Sequence, residues 1–150
     1  MIKTVYKTIL IVLISLSMTL TFAHDAFAKN MKKLSNWDVH YIALDSTFIT
    51  PEIAKAYQIS RSRYNALVNI SVLDNSKAGK PAKHVSITGT AKNNLGQFKT
   101  IEFIEVTEGD AIYYLAQVPV NHEETVHFSL DISDGKKTET LKFYQKFYID

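Results

Sequence analysis

The stretch Val126-His127-Phe128-Ser129-Leu130-Asp131-Ile132-Ser133-Asp134-Gly135-Lys136-Lys137-Thr138-Glu139-Thr140-Leu141-Lys142-Phe143 decides the fold class. Val126, Phe128, Leu130 and Ile132 alternate with His127, Ser129 and Asp131. A period of two puts the apolar side chains on one face of a strand and the polar ones on the other. Asp134-Gly135 follows, and glycine tolerates the positive φ that tight hairpin turns need. The alternation then resumes over residues 138–149, with Leu141, Phe143, Phe147 and Ile149 opposed to Lys142, Tyr144, Lys146 and Tyr148. Two half-buried strands joined by a hairpin is the local reading.

The same period runs upstream. Trp37, Val39, Tyr41 and Ala43 share one strand face, with Asp38 and His40 on the other. Val68, Ile70 and Val72 alternate with Asn69 and Ser71, and Val85, Ile87, Gly89 and Ala91 alternate with Ser86, Thr88 and Thr90. Ile101 and Phe103 oppose Thr100, Glu102 and Ile104 in a fourth run, and residues 111–118 are apolar on both faces. Four of the five glycines fall in the intervening turns, at Gly79, Gly96, Gly109 and Gly135. Seven strands at this spacing predict an all-β, immunoglobulin-like β-sandwich over residues 37–150, with a small barrel as the alternative. The absence of cysteine and a Trp in the first strand exclude the antibody type. One short helix is expected between the first two strands: Thr50 can cap it, Pro51 suits its first position and Glu52 its positive end. Its expected place is across the mouth between the sheets.

Composition narrows the function. The 150 residues are 46% hydrophobic and 21% charged, with a net charge of +2. With no Cys, disulfides, thiolate metal sites and cysteine nucleophiles are excluded. So small a charge gives no field for nucleic acid or anionic membrane. Residues 1–28 read as a cleaved signal peptide: Lys3 and Lys7 precede an apolar run over residues 8–22, and Ala26-Phe27-Ala28 is a small-x-small site. Ser15, Ser17, Thr19 and Thr21 dilute that run, against a retained anchor. The remaining 122 residues carry a net charge of +1, and residues 29–36 are expected to be a flexible lead-in. The expected compartment is the periplasm, with no stable membrane insertion after cleavage.

No cluster assembles a catalytic or metal signature. His122 and His127 are five apart, which puts them on opposite faces of a strand and well apart around a helix, so a zinc-protease helix is not supported. Glu102, Glu105, Glu108 and Asp110 read as an acidic hairpin rim. Lys142, Tyr144, Lys146 and Tyr148 form a cationic–aromatic stripe that suits a polyanion or glycan, or that guards an edge strand against aggregation. Arg61-Ser62-Arg63-Tyr64 follows the helix, and two guanidiniums beside a ring can clamp an anionic or planar group. The candidate binding residues are therefore Tyr57, Arg61, Arg63 and Tyr64, and no cofactor is expected.

Several segments carry a family resemblance: Val39-His40-Tyr41, Ser46-Thr47-Phe48, Pro51-Glu52-Ile53-Ala54-Lys55-Ala56-Tyr57, Arg61-Ser62, Asn69-Ile70-Ser71-Val72, Glu108-Gly109-Asp110-Ala111-Ile112-Tyr113-Tyr114 and Gln145-Lys146-Phe147-Tyr148-Ile149-Asp150. Together they resemble the domain-of-unknown-function family numbered 4426, small exported proteins of gammaproteobacteria. The resemblance implies a periplasmic single domain of immunoglobulin-like fold with no established activity. The expected function is a non-enzymatic module that binds a periplasmic protein or small ligand and no nucleic acid. The alternatives are a strand-pairing envelope component, using the two-faced fifth strand or an open edge, and a hydrolase with His40 or His122 as base beside carboxylates.

Overall fold

The computed structural model describes residues 30–149; the expected signal peptide over residues 1–28 lies outside them. Nine strands run in the order β1 (Met31–Leu34), β2 (Trp37–Asp45), β3 (Asn65–Asp74), β4 (Ser86–Lys92), β5 (Phe98–Glu102), β6 (Ile104–Glu108), β7 (Ala111–Pro119), β8 (Thr125–Ser133) and β9 (Thr138–Lys146). A single helical turn at Ser46–Phe48 and the helix α1 (Pro51–Ala56) separate β2 from β3. The strands form two antiparallel sheets, ordered β1-β2-β3-β7-β6 and β5-β4-β8-β9.

The inner faces share one core. Trp37, Val39, Val68, Ile70 and Val72 of the first sheet pack with Phe128, Leu130, Ile132 and Leu141 of the second. All are fully or almost fully buried, and each such side chain stabilises the fold by about 1.5–3 kcal/mol relative to exposure. Gly89 permits a close approach to β8 inside the second sheet. A Cβ there would lie 2.5 Å from the Ser129 carbonyl oxygen and 2.6 Å from Leu130 Cδ2, so no larger residue fits without moving backbone.

Among the described residues there are nine strands where the period predicts seven. Residues expected in the lead-in form β1, whose Leu34 pairs with Trp37 and packs on the core. Four residues with two lysines between Met31 and Leu34 carry no readable alternation. The fourth predicted strand is two strands in different sheets: β5 pairs with β4, β6 pairs with β7, and the chain crosses over at Phe103. Period two continues through that crossing, because Ile101 points into the core and Ile104 lies on the outer face of the other sheet, where it lines a hollow with Leu115. The hairpin at Asp134-Gly135 is present as a four-residue loop between Ser133 and Thr138, with Gly135 at φ +82°.

Helix α1 starts as expected: the Thr50 hydroxyl accepts from the Ile53 N–H at 3.4 Å, and Pro51 takes the first position. Its location differs from expectation. Ala54 and the following Ile59 pack on Leu67 and Leu115, the outward-facing residues of β3 and β7. The helix therefore covers the outer face of the five-stranded sheet, not the mouth. This also accounts for the two-faced β7: Ile112, Tyr114, Ala116 and Val118 enter the main core, while Tyr113 and Leu115 meet the helical segment.

Candidate binding groove

The segment after α1 is pinned by side chains from two other elements and by its own Arg61. Buried Ser46 accepts from the Ser62 N–H at 2.9 Å, and its hydroxyl lies 3.0 Å from both the Ser60 and Ser62 carbonyl oxygens. Gln117 of β7 accepts from the Ser60 N–H and donates to the Ser60 carbonyl, at 3.0 and 2.9 Å. Arg61 donates from Nε to the Ile49 carbonyl at 2.7 Å and from its terminal nitrogen to the Thr47 carbonyl at 3.1 Å. A guanidinium spends its planar fork well on two diverging carbonyls. The Glu52 carboxyl is held below its usual range by its own backbone N–H and the Thr50 hydroxyl, with Arg61 a smaller influence.

This bracing leaves an incompletely covered strip of the outer sheet face. A hollow of about 420 Å³ is bordered by Tyr57, Ile59, Leu67, Ile104, Leu115 and Gln117, with Glu102 at its rim. A second, of about 140 Å³, has walls of Ile49, Ile53, Val106 and Tyr113, with Glu108 beside it. Tyr57, Ile59, Leu67 and Leu115 border both, so the two form one groove divided by the helical segment. Ile53 and Ile104 keep 46% and 50% of their surface exposed on its walls. Asn69 lines the smaller hollow, and its buried Oδ1 has no hydrogen-bond partner within the protein.

The predicted residues divide around this groove. Tyr57 is half-buried and lines both hollows; Arg61 holds the backbone of Thr47 and Ile49 and lines neither. Arg63 and Tyr64 are exposed farther along the loop, where the Tyr64 carbonyl accepts from the Val120 N–H at 2.9 Å. The acidic cluster is dispersed: Glu102 and Glu108 border different hollows, and Glu105 faces the other way. Ser46, Gln117 and Asn69 were invisible as site residues in the sequence, because each is an ordinary polar residue until the chain folds back over it.

Glu105 belongs to a second polar group at one end of the sheets. The Tyr114 hydroxyl accepts from the Val85 N–H at 2.8 Å and donates to Glu105 Oε2 at 2.9 Å, and His84 Nδ1 lies 2.9 Å from Glu105 Oε1. Burial, then the neighbouring carboxylate, pushes the Tyr114 phenol up to about 12. His40 lies exposed on β2 opposite Ser71, and His122 Nδ1 accepts from the Ile149 N–H at 3.1 Å. Among the described residues, no group of three or more His, Asp or Glu side chains is placed to hold a metal ion. No helix among them is long and apolar enough to cross a membrane.

The model of a domain of unknown function, DUF4426, matches residues 31–150. The chain belongs to this family. That match covers all nine strands and shows the relationship that the sequence segments carry. No curated protein matches the chain. Among solved structures, a DUF4426 family protein from Pseudomonas aeruginosa PAO1 is 30% identical, with a TM-score of 0.70 over 80% of this chain and 94% of that one. FetP of uropathogenic E. coli, recombinantly expressed in the periplasm, is 10% identical with a TM-score of 0.53, over 79% of this chain and 92% of its own. A copper-bound FetP variant is 12% identical with a TM-score of 0.52, over 78% and 93%. At such identity these two likenesses concern the fold alone.

Proposed function

We infer that this DUF4426 protein is a non-enzymatic binding module of the periplasm, and that its groove beneath α1 holds an apolar group of a partner protein or small ligand. The observation that carries the reading is the pair of hollows divided by Tyr57, Ile59, Leu67 and Leu115 on a sheet face that the helix only half covers. The smaller hollow suits a benzene-sized group, given its volume and its aliphatic and aromatic walls. Both charged side chains on the groove, Glu102 and Glu108, are carboxylates, and Asn69 Oδ1 is an unused acceptor. A head group that is cationic or rich in N–H donors complements them.

In this reading Tyr57 is the shared wall and Arg61 a positioning residue that fixes Ile49. Arg63 and Tyr64 extend the contact surface for a partner larger than the groove. The signal-like segment over residues 1–28 supports export. The strand order supports the immunoglobulin-like type: taking β2 to β9 as strands A, B, C, C′, D, E, F and G gives sheets ABED and C′CFG.

The test is an isotope-edited NMR titration with phenethylamine and with phenylpropionate, which share the ring and differ in charge. Saturable shifts at Tyr57, Ile59, Leu67 and Leu115, stronger for the amine, are expected. Shifts confined to other surfaces, or none at millimolar ligand, would overturn the assignment. Arg61→Ala is expected to weaken the amine, because Ile49 loses its anchor.

A further inference from the structure

A second surface lies on the outer face of the β5-β4-β8-β9 sheet. Register aligns Phe98, Lys92, His127 and Tyr144 in one row across the four strands. The next row is Thr100, Thr90, Ser129 and Lys142. A hollow of about 360 Å³ opens over these two rows. Phe98 and Tyr144 are 65% and 70% exposed, one near each end of the first row. Each has a cationic or ionisable neighbour: Lys92 Nζ sits 5.1 Å from the Phe98 ring centre, and the His127 and Tyr144 rings are 5.9 Å apart. Beyond the row, Lys146 Nζ lies 4.8 Å from the Tyr148 ring.

Edge protection accounts for lysines on β9, which is an outer strand of its sheet. It does not account for Lys92 and His127, which stand on the interior strands β4 and β8, nor for an exposed Phe98. Asp131, the acid of this face, stands in the third row, where it accepts from the Thr140 hydroxyl at 2.7 Å, and Glu102, in register with that row across Thr88, borders the groove of the other sheet instead. The first two rows are thus left with cations, hydroxyls and two aromatic platforms.

We propose that this face binds an acidic polysaccharide laid across the strands. Adjacent strands lie about 4.8 Å apart, so the row from Phe98 to Tyr144 spans roughly 14 Å, and each strand step is close to the advance of one sugar along an extended chain. The apolar C–H face of a sugar stacks on Phe98 and on Tyr144. Carboxylates of the intervening units meet Lys92 and Lys142, and Thr90 and Ser129 exchange hydrogen bonds with ring hydroxyls. A shallow, open hollow suits a stiff chain that passes over it. The low overall charge makes local pairing, rather than a long-range field, the source of affinity.

The probe is hexagalacturonate, titrated into the isotope-labelled protein and compared with neutral cellohexaose, polyglutamate and an oligothymidylate. Saturable shifts at Lys92, His127, Ser129 and Lys142, weakened by salt and markedly smaller for cellohexaose, are expected. Phe98→Ala with Tyr144→Ala weakens hexagalacturonate by at least about tenfold, as losing two aromatic stacking platforms does. Both rings are exposed, so an unchanged melting temperature accompanies that loss. Absence of saturable binding overturns the proposal. So does equal affinity for polyglutamate or oligothymidylate, or full affinity in the variant without the rings.

Discussion

Replacing Asn69 by leucine is expected to stabilise the protein and impair its groove at once. Asn69 stands on β3 between Ile42 of β2 and Leu115 of β7, beneath the helical segment. Its Oδ1 is buried without a donor, and an unsatisfied buried polar atom costs about 1–3 kcal/mol. Leucine removes that cost, and the adjoining 140 Å³ hollow has room for the two methyl groups that replace the smaller amide oxygen and nitrogen. The net gain expected is about 1–3 kcal/mol, or several degrees in melting temperature for a domain of this size. Urea unfolding reads it as a higher midpoint at unchanged slope. The same variant should bind phenethylamine less well, since the acceptor is gone and the hollow filled. Asn69→Asp should move stability the other way, because it places a carboxylate where no donor waits. A lower midpoint for the leucine variant, or unimpaired amine binding, would refute the reasoning. Retaining a destabilising polar atom is the pattern expected where function opposes stability.

Three further outcomes follow from the geometry. Gly89→Ala forces a Cβ against the Ser129 carbonyl and Leu130, and should cost about 1–3 kcal/mol in urea unfolding; an unchanged midpoint would contradict the packing. Tyr114→Phe leaves the Val85 N–H without its acceptor and should cost about 1–3 kcal/mol, while ultraviolet titration of the parent should show one phenol ionising near 12. Asp134 is held at about 2, below its ordinary 3.8, by the Lys137 and Lys136 backbone N–H groups and, less, by Lys83. A depressed folded-state value means that its stabilisation is complete above 3.8 and is lost as pH falls toward about 2. The stability gap between the parent and Asp134→Asn should therefore narrow over that window, and a gap as wide at pH 2 as above about pH 4 would disprove the assignment.

How far the site was legible depended on where each partner lies along the chain. Tyr57 is legible as the aromatic that joins the predicted helix to the arginine-bearing loop, and the structure puts it on both hollows. Arg61 drew notice as a charge, yet its partners are the carbonyls of Thr47 and Ile49, twelve or more residues away. Gln117 is fifty-seven residues from the Ser60 it braces, and no local pattern announces such a pair. The cationic–aromatic stripe on β9 was readable from period two, but Lys92, Phe98 and His127 join it only through strand register.

The sequence alone determined the all-β class, most strands and their inward faces, the helix cap and the hairpin at Asp134-Gly135, and it carried the family. These rest on neighbours a few residues apart, where backbone sterics and side-chain alternation act directly. Tertiary structure decided which sheet each strand joined, the crossover at Phe103, the pairing of β1, and the seat of α1 on the outer face. Those depend on burial shared between distant segments: Ile101 and Ile104 are equally apolar, and only the packed sheets settle that one enters the core while the other lines a groove.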